Sequence, residues 1–204
     1  KQLKETFDNI REMKIIGTFL IAFWMYEDGV ATIVRMAAKI ASSLGFAASD
    51  IITAILMVQF IGFPAALGYN WFAKKIGTKN AVLVAILGYV VITFLGYLMT
   101  DITHFYILAA LIGLFQGGIQ SLSRSLFTRL VPPNKEAEFF GFYNMLGKFA
   151  AVVGPILVGW ITVLTGNPRA GILSIVVLFI FGGLLLSRVD FKKGEKIAHD
   201  FGEN

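Results

Sequence analysis

The chain contains no cysteine, two histidines, five prolines, and a charged fraction of only 15%. Without cysteine there is no disulfide framework and no thiolate metal site, and the redox compartment is left undetermined. No group of His, Cys or carboxylate residues has metal-ligand spacing. The Gly-x-Ser-x-Gly element is missing, as is a membrane-embedded serine paired with histidine, which argues against an intramembrane protease. No Gly-x-x-x-x-Gly-Lys loop is present, so any ATP hydrolysis would lie on another chain. These absences argue against an enzyme, and no cofactor is expected.

The shortage of charge also argues against a soluble domain, which carries roughly 25% charged residues. Here hydrophobic residues make up 56% of the chain and the mean hydropathy is +0.73. The net charge of +5 invites a nucleic-acid reading, but the charges are sorted by loop and not gathered on one face of a module. Thirteen of the eighteen Lys and Arg fall on alternate connections: Lys1 to Lys14, Lys74 to Lys79, Arg129 with Lys135, and Arg188 to Lys196. The intervening connections hold one clear case, Arg169. Positive charge resists translocation, so this bias marks an integral membrane protein with both termini cytoplasmic. No nucleic acid partner is expected. The outer loops are short and lack an Asn-x-Ser/Thr sequon, which leans toward a bacterial inner (plasma) membrane.

A crossing of the hydrocarbon core takes about 20 residues, and six apolar segments meet that length: 15–43, 50–73, 80–99, 103–130, 138–164 and 169–188. A strand barrel is excluded because the runs are long and lack a period of two. The expected fold class is all-α membrane. A long, middling, short order of segments occurs twice, and character repeats with it. The first and fourth carry intramembrane polar groups, the second and fifth carry Pro64 with Gly68 and Pro155 with Gly159, and the third and sixth are nearly pure hydrocarbon. Triplets of odd span number must be inverted in the membrane, so the six helices read as a 3+3 inverted repeat of transporter type. The first and fourth segments are expected to face a cavity and the third and sixth to face lipid, with the prolines kinking the second and fifth. Leu3, Phe7 and Ile10 share one face of residues 1–14, a cytoplasmic amphipathic segment. Residues 189–204 read as a polar, mobile cytoplasmic tail. The chain begins at Lys1 rather than Met, which suggests a piece of something longer or a processed product.

Glu27 and Asp28 fall near the middle of the first segment, where an ionised carboxylate costs at least a few kcal/mol unless paired or wet. Trp24, Asp28, Thr32, Arg35 and Lys39 follow a helical spacing that draws a polar stripe down one face. Two readings stand: a substrate or proton path, and an ion pair with Arg35 that locks the helix to its neighbours. Lys148 lies about 10 residues into the fifth segment, near mid-membrane at ~1.5 Å per residue. It is poised either for an anionic substrate group or for a salt bridge to Glu27 or Asp28. In the fourth segment Gln116 and Gln120 are candidates for substrate contact or for hydrogen bonds between helices, beside Gly117 and Gly118, which permit close backbone approach. Arg124 is expected to form a gating salt bridge to Glu136 or Glu138, and Arg129 is grouped with that gate. His104 is expected to be a solvated interface residue, and His199 receives no role.

Several stretches carry a family resemblance: Tyr26-Glu27-Asp28-Gly29, Gln59-Phe60-Ile61-Gly62-Phe63-Pro64, and Gln116-Gly117-Gly118-Ile119-Gln120-Ser121-Leu122-Ser123-Arg124. With them runs Glu136-Ala137-Glu138-Phe139-Phe140-Gly141-Phe142-Tyr143-Asn144, leading into Gly147-Lys148-Phe149-Ala150-Ala151-Val152-Val153-Gly154-Pro155. Together they resemble the vacuole effluxer-like branch of the major facilitator superfamily, over helices seven to twelve of such a transporter. One departure is visible. Where the superfamily favours an acid in the turn after the second of these segments, Lys74 stands here, in Lys74-Lys75-Ile76-Gly77-Thr78-Lys79.

The resemblance implies half of a secondary active transporter working by alternating access, with fungal relatives associated with amino-acid release from the vacuole. The implied cargo is a small polar solute, such as an amino acid or related carboxylate, with protons as a candidate coupling ion. The implied partners are the bilayer and the N-terminal six-helix half of the same transporter, or a second copy if the half stands alone. The competing class is a non-transporting six-span membrane module that dimerises or docks a partner protein through its polar face.

Overall fold

The structure is a computed structural model that describes residues 14–133 and 135–202, so the expected amphipathic face of Leu3, Phe7 and Ile10 lies outside the described residues. Every regular element among the described residues is helical: α1 (Lys14–Ser43), α2 (Ala48–Ile76), α3 (Thr78–Leu98), α4 (Ile102–Thr128), α5 (Glu136–Phe149), α6 (Val153–Thr165), α7 (Pro168–Leu173), α8 (Ile175–Arg188) and α9 (Phe191–Gly202). Five stretches are long and apolar enough to cross a membrane: α2, α3, α4, the α5–α6 pair and the α7–α8 pair. The first helix, α1, spans 30 residues but falls outside that set, and it carries Glu27, Asp28, Arg35 and Lys39.

The boundaries follow local chemistry. A single residue, Gly77, joins α2 to α3 with φ of 89°, a conformation glycine adopts at little steric cost. Asp101 caps α4 by accepting the His104 N–H at 3.0 Å, and Asn167 caps α7 by accepting the Arg169 N–H at 2.9 Å, with Pro168 next in line. Pro64 sits inside the continuous α2. Pro155 does not: it lies in the first turn of α6, where a missing N–H leaves no intrahelical bond unmade. The expected single segment 138–164 is therefore two helices, broken at Ala150, Ala151 and Val152, with Ala151 at φ of 80°. The sixth segment is likewise interrupted at Ser174, whose hydroxyl donates to the Gly171 carbonyl at 2.6 Å.

Packing pairs α2 with α4 and α1 with α8. The first pair closes on Gly117, where an added Cβ would stand 2.6 Å from the Gly62 carbonyl oxygen; close backbone approach of this kind is how helices associate in lipid. An aromatic stack ties α1, α4 and α5 together: Tyr143 lies 4.2 Å from Phe23 and 4.7 Å from Phe127, ring centre to ring centre. Stacked pairs of this kind add about 0.5–1.5 kcal/mol beyond their buried area.

The segment after Arg188, expected to be a polar, mobile tail, is helical. It forms α9, whose Phe191 packs edge-on against Phe19 at 5.8 Å and whose Ala198 is buried, with Lys192, Lys193, Glu195 and Lys196 facing out. An amphipathic face that covers the end of α1 orders it. The third and sixth segments, expected to face lipid, keep exposed apolar side chains but are not the most exposed. The apolar window of α3 is 44% buried and that of α7–α8 is 39% buried, against 6% for α2 and 17% for α5–α6. A pure hydrocarbon helix suits a packed interior as well as lipid, because composition does not distinguish the two. The most open faces are those of α2, with Phe60 and Phe63, and of α6, with Trp160 and Val163, while α3 and α8 also leave apolar side chains such as Leu87, Phe94, Phe181 and Leu184 exposed.

Candidate functional site

A hollow of about 580 Å³ opens between α1, α4 and α5, and polar side chains from all three helices converge on it. Helical spacing explains the convergence. Phe23 and Glu27 are four apart on α1, Gln120 and Arg124 four apart on α4, and Tyr143, Asn144, Gly147 and Lys148 occupy one face of α5. Two of these helices, α1 and α4, are joined where Tyr26 Oη donates to Ser123 Oγ at 2.7 Å, and Ser123 in turn donates to the Ile119 carbonyl. Glu27 Oε2 is buried with no hydrogen-bond partner among the described residues, and Gln120 is the polar neighbour of its carboxylate. Gln116 Oε1 is buried and unpartnered as well. Buried polar atoms without partners are rare in folded proteins and mark places that call for an explanation.

Of the residues expected to bind substrate or couple transport, Glu27, Gln120 and Lys148 line this hollow, and Arg124 joins them. Asp28 does not line it. That side chain is 1% exposed, and it closes the break between α5 and α6. Its Oδ1 accepts the Ala151 N–H at 2.8 Å, Oδ2 accepts the Val153 N–H at 2.9 Å, and the Gly154 N–H reaches both oxygens at 3.1 and 3.0 Å. Thr32 adds its hydroxyl to Oδ1 at 3.2 Å. The carboxylate thus caps the N-terminus of α6 from another helix, meeting both the orphan N–H groups and the positive end of the dipole.

The polar stripe of α1 therefore divides. Asp28 and Thr32 are buried in this clamp, while Arg35 and Lys39 are exposed, and no ion pair within 4.0 Å joins Arg35 to Asp28 among the described residues. The expected ion-pair lock is replaced by backbone N–H donors, which satisfy a buried carboxylate without burying a second charge. Among the described residues Lys148 likewise forms no salt bridge to Glu27 or Asp28. The expected gating pairs are not formed among the described residues. Arg124 makes no ion pair with Glu136 or Glu138 among the described residues and lies over the Phe140 ring at 5.2 Å. Arg129 faces Glu195 of α9 at 3.9 Å. His104 is exposed, as expected, beside Asp101 at 3.1 Å.

Tyr143 and Asn144 line the hollow without having been singled out as candidate site residues. The signal was available: Tyr143, Asn144, Gly147 and Lys148 share one helix face. Among the described residues no group of three or more His or carboxylate side chains is placed to hold a metal ion.

The family model described as "Vacuole effluxer Atg22 like" matches residues 1–199. The uncharacterized MFS-type transporter YxiO of Bacillus subtilis (strain 168) is 37% identical over 189 residues, covering 93% of this chain and 44% of that protein. Autophagy-related protein 22 of Yarrowia lipolytica is 31% identical over 210 residues, covering 97% of this chain and 35% of that protein. Autophagy-related protein 22 of Saccharomyces cerevisiae (strain ATCC 204508 / S288c) is 27% identical over 220 residues. The chain spans less than half the length of the curated relatives it matches.

Proposed function

Because this chain belongs to the Atg22-like vacuole effluxer family of membrane transporters, we propose that it forms the C-terminal six-helix half of a secondary transporter that moves a small polar solute by alternating access. One observation carries the reading. An acid, Glu27, a cation, Lys148, and an amide, Gln120, from three different helices face a single hollow of about 580 Å³. A zwitterionic solute such as an amino acid needs this set. Its carboxylate meets Lys148, its ammonium meets Glu27, and the amide orients the remainder through a donor and an acceptor.

In this proposal α1 crosses the membrane as a sixth span, its acids made tolerable by the hollow and by the α6 cap, and the six spans repeat as two inverted triplets. The polar hollow is one wall of the transport path, and the N-terminal half of the longer protein supplies the other. Open faces of α2 and α6 meet lipid and that partner half. Glu27 is the proposed coupling acid, since a carboxylate that faces a hollow with one oxygen unpartnered can exchange a proton as access alternates. The bias of basic residues toward alternate loops supports a cytoplasmic position for both ends of the chain. In a bacterial host the membrane is the inner one.

The test is uptake by the full-length protein in proteoliposomes, run over a panel of amino acids and small carboxylates with and without a pH gradient. Lys148→Ala should raise KM by ~10-fold or more, and Glu27→Gln should raise KM as well and abolish any gradient dependence. Unchanged uptake in both variants sinks the assignment.

A further inference from the structure

A second polar feature lies where the ends of α2, α3, α4 and α8 meet, apart from the hollow of Glu27 and Lys148. Two hollows of about 500 and 620 Å³ share Gly77, Thr78 and Arg129 as lining and so form one groove. Its charged lining is Lys74, Lys79, Arg129, Arg188 and Lys192 against a single carboxylate, Asp190. Some of that charge is already engaged. Lys79 Nζ donates to the Ser187 and Val189 carbonyls at 2.7 and 2.9 Å, holding the end of α8, and Asp190 Oδ1 accepts the Lys193 N–H at 3.1 Å. Arg129 faces Glu195 at 3.9 Å in a half-exposed pair, which contributes little. Lys74, Arg188 and Lys192 are exposed and make no ion pair within 4.0 Å among the described residues. An orientation bias alone needs only basic loops, whereas here the cations of three separate chain segments converge on one concave surface.

The depth of the groove in the bilayer points to its ligand. One turn inward from Arg188, Leu184 is exposed on α8, and Val84 is exposed on α3, so apolar helix surface begins directly beneath the cations. On α2, Trp71 is exposed with Lys75 Nζ 3.7 Å from its ring, the amphipathic pairing found at headgroup level. A phosphate that arrives here attached to two acyl chains satisfies both zones at once, whereas a free anion uses only the upper one. We propose that this groove binds the phosphate headgroup of an anionic phospholipid, with Arg188 and Lys192 on the phosphate and Lys74 at its edge, and the acyl chains along α3 and α8.

The experiment is native mass spectrometry of the full-length protein in a neutral detergent, titrated with phosphatidylglycerol, with phosphatidylcholine, and with phosphatidylglycerol in the presence of inorganic phosphate. Wild type should retain phosphatidylglycerol over phosphatidylcholine, and Arg188→Gln with Lys192→Gln should weaken retention about fivefold per cation removed. Arg188→Lys should keep most of it. Melting in lipid-free detergent checks that the double variant is folded; if that variant melts early, the exposed Lys192→Gln alone carries the test with its own fivefold loss. Equal retention of the two lipids, or retention unchanged in the folded variant, overturns the proposal. Displacement of phosphatidylglycerol by millimolar inorganic phosphate also overturns it, by showing a free-anion site in place of a lipid one.

Discussion

The Gly154 amide donates to both carboxylate oxygens of Asp28, at 3.1 and 3.0 Å, across 126 residues of sequence. This contact turns a gap in one helix into a fixed joint. The break at Ala150 to Val152 exposes N–H groups that lipid cannot satisfy, and the buried acid of α1 satisfies three of them. Lys148 stands three residues before Ala151, so the clamp also sets where that ammonium enters the hollow.

Removing the acceptors should therefore cost stability before it costs anything else. Asp28→Asn keeps one carbonyl oxygen and adds an NH₂ group facing N–H donors, and should lower stability by roughly 2–4 kcal/mol. The check is the apparent melting temperature of the full-length protein in detergent. A drop in uptake without a drop in melting temperature would instead place Asp28 among the substrate contacts.

A methyl group at position 154 has no room, since its Cβ would run into the Thr32 hydroxyl and stand 3.0 Å from Asp28 Oδ1. Gly154→Ala should destabilise by about 1–3 kcal/mol. Adding Thr32→Ala should recover part of that loss, with a coupling on the order of 1 kcal/mol in a double-mutant cycle of melting data. Strict additivity of the two would show that the hydroxyl is not what the methyl meets.

Ala151 holds φ of 80°, a region that costs a side chain with a Cβ about 1 kcal/mol or more. Ala151→Gly should raise the melting temperature slightly or leave it unchanged, in contrast to most substitutions in the segment. A clear fall in melting temperature would count against the left-handed conformation.

Asp101, at the opposite end of α4 from Arg124, is exposed, and its carboxyl is held below the usual 3.8, chiefly by the His104 N–H it accepts. A depressed folded value means that its capping contribution is present above pH 3.8 and is lost as pH falls through the lower folded value. Acid titration of melting temperature should show a smaller loss below pH 3.8 in Asp101→Asn than in wild type, because asparagine still caps but does not titrate. Identical acid curves for the two proteins would remove Asp101 as a contributor.

Glu27, Gln120 and Lys148 could be picked out from the sequence because each is a polar residue in an apolar run, and the cost of burying such a group marks it without coordinates. Tyr143 and Asn144 were passed over because an aromatic and an amide near a helix end are ordinary at that depth. Asp28 is legible as an unusual acid, but its partners are not. Arg35 is seven residues away and suggested itself by helical spacing, while the true donors lie in a distant break that hydropathy reads as continuous.

By itself the sequence determined the helical class, the approximate reach of each apolar segment and the family, because length, hydropathy and motif are local properties of the chain. Only the tertiary structure decided that the fifth segment is two helices, that α9 folds back over α1, and that α3 and α8 are more buried than α2. Those outcomes depend on which surfaces meet. An apolar residue gains by leaving water whether it enters lipid or a protein interior, and only a neighbour such as Asp28, placed by the rest of the fold, makes a broken helix stable at that depth.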